Sequence, residues 1–291
     1  MTSLGANLSS TRSLGPRSAA IAIGNEIEKG LLAAWGERLQ IVIELPLFLG
    51  FFVLLALILG RGQQIASGQL NWRFDPAQVS SLMVGYAAYL FIYLQSAKLF
   101  WRLLGEIQAG TLEQVYLSPL PAWLVATAGS VLATVLETSF LVAIIYLVVF
   151  AFVPFHLAWH VQVLVPILFV ALGSVGYSLI EGGLVLAWRR VELVHELAMG
   201  LMVFFTGALI PLSQLPGWMA DIGRFAPISQ GLVAMRAVLI DGRMSLALGG
   251  DGGILWMAGI SAAYLVVGIA AFGLGERRER RRGSLGRYRR N

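Results

Sequence analysis

Long apolar runs separated by short polar segments make up most of the chain. A bilayer core about 30 Å thick takes roughly 20 apolar residues per helix. The runs lack the period-two alternation of a membrane β-strand, so we predict an all-α integral membrane protein. Six transmembrane helices are predicted, at residues 41–60, 79–100, 122–152, 163–188, 198–212 and 254–275. The fifth is short and has Pro211 at its end, which leaves its boundary the least defined.

A helical pattern precedes the first span. The apolar residues recur every four positions, at Ile23, Ile27, Leu31, Trp35 and Leu39. Since positions four apart share one face of a helix, we predict an amphipathic helix in the cytoplasmic membrane interface. A soluble helix packed on a partner is the alternative. The preceding residues, 1–20, are predicted to be a disordered cytoplasmic tail.

The segment between the fifth and sixth spans, residues 212–253, is apolar in part but carries prolines and charges. It therefore cannot cross the bilayer. Irregular backbone at membrane depth is tolerated only where protein covers it or where it lines a cavity. We predict short re-entrant helices that enter the outer leaflet and return; an ordinary outer loop is the alternative. The residues assigned to this segment are Pro211, Pro216, Trp218, Pro227 and Arg236.

Composition and charge agree with a membrane protein and orient it. Hydrophobic residues make up 57% of the chain and charged residues 13%, and the mean hydropathy is +0.76. Most of the 21 Lys and Arg residues fall on the side that carries both termini. By the positive-inside rule both termini of this multi-pass membrane protein are cytoplasmic. One transmembrane domain is expected at 21–275, and the basic tail at 276–291 is expected to meet anionic lipid headgroups rather than nucleic acid.

Motifs for catalysis and metal binding are missing. Neither lysine, Lys29 nor Lys98, follows a glycine as a phosphate-binding loop requires. A zinc protease motif at His195 fails because Met199 occupies the position of the second histidine. The GSVG run at 173–176 lies within a predicted span, where small residues typically serve close helix packing. We predict no catalytic residue, metal site or cofactor in this chain, and its cysteine-free sequence excludes disulfides.

A polar stretch with two prolines, GEIQAGTLEQVYLSPLP, occupies residues 105–121 between the second and third spans. Counting spans places it in the cytoplasm. Its leucines and tyrosine form an apolar edge, its glutamates supply exposed charge, and its prolines end the helix. We predict a short, rigid coupling helix that docks on a soluble partner; a plain connector is the alternative. The residues assigned to it are Arg102, Glu106, Gly110, Thr111, Leu112, Glu113, Tyr116, Ser118 and Pro119.

Two motifs carry a family resemblance. EIQAGTLEQVYLSPLP resembles the coupling segment of ABC-2 type permeases, whose pattern is Glu, then Gly-Thr-Leu-Glu, then Ser-Pro. LIPLSQLPGWMADIGRFAPISQGLVAMR, at 209–236, is similar to the segment between the fifth and sixth helices of that family, with its prolines, its tryptophan and its closing arginine. The resemblance covers nearly the full length, including six spans and the N-terminal interfacial helix.

The resemblance implies a half-transporter. Two permease subunits, as a homodimer or heterodimer, would form the pathway. Two copies of a separate nucleotide-binding subunit would dock through the coupling helices and hold ATP and Mg²⁺. Bacterial members mostly export amphipathic drugs, lipids or polysaccharides, so the resemblance implies efflux by alternating access across a bacterial-type cell membrane. The alternative is an ion-gradient-driven secondary transporter or channel, which needs a relay of intramembrane ionisable residues.

Few such ionisable residues are present: Glu44, Glu137, Glu181 and, near a span end, Lys98. Glu44 and Lys98 lie at similar depth and could pair. Glu137 is close to the middle of the third span, where facing lipid would cost about 2.5–3.5 kcal/mol, so it is expected to face protein or a cavity. Burial favours its neutral form. A structural role and a place in the substrate pathway both stay open for Glu137, and Tyr177 and Glu181 are further pathway candidates.

Overall fold

The computed structural model describes residues 76–109, 122–152, 157–188, 191–243 and 245–282, together with isolated positions between 21 and 54. Within these residues the chain is all-helical, as predicted, and contains no β-strand. Short 3₁₀ helices at Val161–Val163 and Leu212–Gln214 precede α3 and α5. The α-helices are α1 (Pro76–Ala109), α2 (Ala122–Phe152), α3 (Leu164–Ala187), α4 (Glu192–Phe205), α5 (Gly217–Gly223), α6 (Ser229–Leu239) and α7 (Ile254–Arg282).

Four segments of the described chain are long and apolar enough to cross a membrane: Val79–Ala109, Gly129–Val148, Val161–Ala187 and Ile254–Arg278. They correspond to the second, third, fourth and sixth predicted spans. The first predicted span is described only at Gly50, Phe51 and Leu54, which are helical. The Phe51 ring lies 6.1 Å from that of Tyr86 in α1. The count of six spans stays a prediction.

The boundaries predicted for the fifth span, 198–212, are wrong. Helix α4 begins at Glu192 and ends at Phe205, and its 14 residues reach about 21 Å at 1.5 Å per residue. The chain leaves the helix because Gly207 has a φ of 75° and Pro211 lacks a backbone N–H. Since the hydrocarbon core is about 30 Å thick, α4 alone is too short to cross it.

Short helices form the segment between α4 and α7. Helices α5 and α6 follow each other through a turn at 224–228, and neither is long enough to span a bilayer. Residues 240–243 and 245–253 are non-helical, and Gly242, Gly250 and Gly252 have positive φ angles there. Entry of this segment into the outer leaflet stays a prediction.

Glycines bring α3 and α7 into direct backbone contact. A Cβ atom at Gly176 would lie 2.5 Å from the Tyr264 carbonyl carbon, and one at Gly183 would lie 2.5 Å from that of Ala271. Cβ atoms at Gly268 and Gly275 would overlap the backbone of α3. Each helix thus presents two glycines seven residues apart to the other. Small residues permit this close approach in lipid, where van der Waals packing drives association.

Helix α1 is the most buried of the four candidate spans. It packs on α3 and α2, and its buried side chains contribute to all three hydrophobic clusters of the bundle. The helix continues beyond the predicted span to Ala109, so the start of the predicted coupling segment, at Gly105, belongs to the same helix. The start of that segment is thus part of the helix that carries buried contacts of all three clusters.

Two segments predicted from the sequence can be compared with the structure only in part. Helix α7 continues to Arg282, so the first residues of the predicted basic tail at 276–291 are helical. In the predicted interfacial helix, the described positions Ile21 and Leu32 are helical and exposed. The apolar residues that define its face lie outside the described residues: Ile23, Ile27, Leu31, Trp35 and Leu39.

Candidate functional site

Four polar side chains meet inside the bundle, where α1, α3 and α4 come together; we call them the Glu181 cluster. The Tyr177 hydroxyl donates to Glu181 Oε1 at 2.8 Å. The Ser96 hydroxyl donates to Glu181 Oε2, and His195 Nδ1 lies 2.9 Å from the same oxygen. All four residues are more than nine-tenths buried. A buried carboxylate is stable only when such donors surround it.

Helix geometry brings these side chains together. Tyr177 and Glu181 are four residues apart on α3 and so share a face. One turn after Ser96, the Phe100 ring stacks on the His195 imidazole, with centroids 4.3 Å apart and an interplanar angle of 16°. This contact fixes the ring with Nδ1 towards Glu181. His195 Nε2 is buried and has no hydrogen-bond partner among the described residues.

A second ionisable pair joins α1 to α2. The Lys98 ammonium contacts the Glu137 carboxylate, and the two side chains are 22% and 13% exposed. The structure thus places Glu137 against protein, as expected from the sequence. The neutral form expected for Glu137 from its burial stays a prediction. Glu44, the other partner considered for Lys98, lies outside the described residues.

Arg236 ties α6 to the ends of α1 and α4. Its guanidinium donates to the Ser81 carbonyl at 3.2 Å from Nη2, to the Gly207 carbonyl at 2.6 Å and to the Ala208 carbonyl at 2.9 Å. A cation just beyond the C-terminus of α4 is favoured by the helix dipole. Burial lowers the pKa of the Arg236 guanidinium to about 10, so the side chain stays cationic at neutral pH. A Cβ atom at Gly85 would overlap the Ala208 carbonyl, so glycine allows this approach.

The predicted coupling residues are described only in part. Arg102 and Glu106 form an i,i+4 pair on α1, with 3.6 Å between Nε and Oε1. They lie at the end of α1 opposite to Ser81. The others lie outside the described residues: Gly110, Thr111, Leu112, Glu113, Tyr116, Ser118 and Pro119.

Comparison with known families identifies the class of protein. A family model described as ABC-2 type transporter matches residues 28–240 of the 291-residue chain. The chain belongs to the ABC-2 type transporter family. The protein is therefore a multi-pass membrane permease of an ABC transporter, and the family implies an ATP-binding partner. No curated protein matches the chain closely enough to count as a relative.

In this permease, α1 contacts the two intramembrane acids that the structure describes, Glu137 and Glu181. Ser96 and Lys98, two residues apart, engage Glu181 on α3 and Glu137 on α2. The sequence analysis missed Ser96 because a buried serine has no distinguishing pattern. It considered His195 only as part of a metal motif, although a histidine in an apolar helix is itself a sign of a polar interior site. Among the described residues no group of three His, Cys, Asp or Glu side chains could hold a metal ion.

Besides Arg236, four residues were assigned to the predicted re-entrant segment of the permease, and their surroundings differ. Pro211 and Pro216 precede the 3₁₀ helix and α5. Trp218 is exposed and meets Phe205 edge-on. The Pro227 carbonyl lies so close to Gly173 of α3 that a Cβ atom there would overlap it. The predicted packing role of the GSVG run is thus confirmed at Gly173, as it is at Gly176 against α7.

Proposed function

We propose that this permease is the transmembrane half of an ATP-driven exporter of an amphipathic drug, lipid or glycan-type molecule. It works by alternating access with a second permease subunit and with two copies of a nucleotide-binding subunit that hold ATP and Mg²⁺. The observation that carries the proposal is the continuity of α1. Its 34 residues form a rod of about 51 Å that joins the start of the predicted coupling segment to the contacts with Glu137 and Glu181.

This continuity supports a mechanical role for α1. A partner that shifts the helix at Gly105–Ala109 also shifts Ser96 and Lys98 against α3 and α2. The contacts to Glu181 and Glu137 then break or re-form as the helices change their packing. Two discrete packings of this kind are what alternating access requires. In this proposal Glu137, Tyr177 and Glu181 line the substrate pathway in the state where α1 has moved.

A secondary transporter driven by an ion gradient is the second candidate. One observation favours it: Glu181 and His195 form a buried pair of titratable groups at the contact of three helices. Such pairs occur in proton relays. The family match counts against this second candidate, because the family implies an ATP-binding partner.

The coupling segment provides the test. In the variant L112D/E113A, the first change places a charge on the predicted docking edge and the second removes one. We expect the nucleotide-binding subunit to be lost from the purified complex, and ATP-driven transport with it. R243Q, at the opposite end of the bundle, is the control and should retain both. Normal assembly and transport by the double variant would contradict the proposal.

A further inference from the structure

A cavity of about 440 Å³ lies where α1, α5 and α6 meet the segment that leads to α7; we call it the Arg236 cavity. Part of its wall is apolar, from Pro211, Leu212, Val233 and Ile240. The charged residues of the wall are three arginines and two aspartates, which give it a net charge of +1: Arg224, Arg236, Arg243, Asp241 and Asp251. The cavity thus combines an apolar surface with an excess of positive charge, and such a cleft attracts anions.

Arg236 carries the charge of this cavity that no acid offsets. Four of the five N–H groups of its guanidinium donate to the carbonyls of Ser81, Gly207 and Ala208, which leaves one N–H on Nη1 for another acceptor. No carboxylate among the described residues pairs with this side chain. Because carbonyl dipoles offset only part of the charge of a half-buried cation, a bound anion would stabilise it.

The other charged side chains at the cavity are exposed and paired. Arg224 lies 3.2 Å from Asp221, between Nη1 and Oδ1, and 3.3 Å from Asp251, between Nε and Oδ2. Arg243 Nε is 3.9 Å from Asp241 Oδ2, which is beyond hydrogen-bonding distance. Exposed pairs of this kind contribute little to stability. Arg224 is therefore able to turn from its aspartates to a phosphate group, whose oxygens fit the guanidinium fork.

The cavity lies at the level where two candidate membrane spans begin. The span of α1 begins at Val79, two residues before Ser81 of the cavity wall, and the span of α7 begins at Ile254, three residues after Asp251. Trp256, in the first turn of α7, is exposed, and tryptophan is enriched at the level of the lipid headgroups. The positive charge of the cavity thus lies where the phosphate groups of membrane lipids are found.

We propose that the Arg236 cavity binds the phosphate group of an amphipathic anion and holds the hydrophobic part of the same molecule against its apolar wall. The phosphate oxygens accept hydrogen bonds from Nη1 of Arg236 and from Arg224. The anion supplies the counter-charge that Arg236 lacks, and so it strengthens the junction of α1, α6 and the segment after α4. A phospholipid of the membrane and a free phosphate ion share this chemistry; the apolar wall and the level of the cavity favour the phospholipid. The binding site does not depend on the proposed function, since it requires neither ATP nor transport.

Thermal unfolding of the purified permease in a neutral detergent tests the site. Phosphatidylglycerol, phosphatidylcholine and inorganic phosphate are titrated separately. A ligand that binds the folded state raises the unfolding midpoint in proportion to its occupancy. We expect a saturable rise with phosphatidylglycerol and a much smaller one with phosphatidylcholine, whose choline group cancels the phosphate charge. An equal rise with inorganic phosphate would support the site and assign it to the free ion. The same response to phosphatidylglycerol and phosphatidylcholine, with none to inorganic phosphate, would overturn the proposal.

Charge changes at the wall separate this site from a general effect of anionic lipid. Ser213→Asp, at an exposed position of the wall, adds a negative charge and should weaken the binding of phosphatidylglycerol about tenfold. Asp251→Ser removes a negative charge and should tighten binding about threefold. Gln214→Asp adds the same charge at the neighbouring exposed residue, outside the wall, and should have less than about a twofold effect in about 0.15 M salt.

These three variants leave the carbonyl contacts of Arg236 in place, so each is expected to fold. Binding of phosphatidylglycerol that is unchanged in both Ser213→Asp and Asp251→Ser would contradict the site. Equal weakening by Ser213→Asp and Gln214→Asp would contradict it as well, because the lipid would then respond to the surface charge of the whole region.

Discussion

At the scale of single residues, α1 is held in the bundle by side-chain contacts to charged groups on its neighbours. Lys98 reaches Glu137 on α2, and Ser96 reaches Glu181 on α3. Isolated charges are rarely tolerated inside a membrane domain, so each partner depends on the other. The contacts therefore fix α1 in one register while remaining breakable when the helix moves as a unit.

The Lys98–Glu137 pair leads to a prediction about stability. Glu137→Gln keeps the shape of the side chain but takes the carboxylate away from Lys98. We expect a loss of about 3 kcal/mol in the free energy of unfolding, near the lower end for a buried ion pair because both side chains retain some exposure. Replacing both residues, by Lys98→Met and Glu137→Gln, should cost less than the sum of the single changes.

Thermal or denaturant unfolding of the detergent-solubilised permease measures these differences. Glu106→Gln is the control, since its i,i+4 pair with Arg102 is more exposed and should contribute about 0.5 kcal/mol or less. Additive effects at Lys98 and Glu137 would show that the two side chains do not depend on each other, and the interpretation of the pair would fail.

At the scale of helices, the α3–α7 contact is the tightest in the described part of the bundle. Backbone atoms of one helix fill the space that a side chain on the other would need, at Gly176, Gly183, Gly268 and Gly275. Such a contact does not slide or separate without losing its packing. We therefore regard α3 and α7 as a rigid pair, and the proposed alternating access would move α1 and α4 against it.

Glycine-to-alanine changes at Gly183 on α3 and at Gly259 on α7 should have opposite effects on stability. Gly183→Ala places a methyl group against the Ala271 backbone and should destabilise the protein by about 1–3 kcal/mol through overpacking. Gly259→Ala, on a face of α7 with open space around it, should stabilise by about 0.5–1 kcal/mol because alanine is the better helix former. The unfolding midpoint of each variant measures the effect. A stabilising Gly183→Ala would contradict the close packing of the two helices.

How well the sequence predicts each helix depends on the physical property that sets the helix boundary. Hydropathy located α1, α2, α3 and α7 because each must cover about 30 Å of apolar thickness. It misplaced α4, which begins at Glu192, because backbone hydrogen bonding rather than hydropathy sets where a helix starts. The residues 198–212 read as one apolar run, whereas the turn at Gly207 ends the helix.

Candidate site residues were predictable where their own chemistry set them apart. An acid such as Glu181 inside an apolar run is conspicuous, and so is Arg236 after a proline-rich segment. Their partners were not predictable, because Ser96 and the carbonyls of Gly207 and Ala208 come from distant parts of the chain and carry no pattern of their own. Only the folded bundle brings them together.

At the scale of the whole molecule, the opposite ends of α1 adjoin different parts of the chain. One end carries Arg102 and Glu106 and leads into the predicted coupling segment. The other end carries Ser81, which Arg236 joins to the region after α4. If the proposed partner displaces the coupling end, we expect α1 to tilt rather than to translate, because Arg236 holds its far end.

Accessibility across the membrane tests the predicted topology. The native chain has no cysteine, so a single introduced thiol is labelled without background. Ser245→Cys, at an exposed position between α6 and α7, should react with an impermeant reagent from outside the cell, because the predicted topology places this segment on the outer side of the membrane. Arg281→Cys, exposed near the end of α7, should react only from the cytoplasmic side. Labelling of Ser245→Cys from the cytoplasmic side alone would reverse the orientation.

The central claim is that ATP hydrolysis on a partner subunit drives this permease. Uptake into inverted membrane vesicles, screened over amphipathic drugs and lipids, measures it most directly. We expect uptake of at least one such compound to require ATP and Mg²⁺, to persist when a protonophore collapses the proton gradient, and to vanish in the L112D/E113A variant. Uptake that proceeds without ATP and stops with the protonophore would contradict the claim and would establish the permease as a carrier driven by an ion gradient.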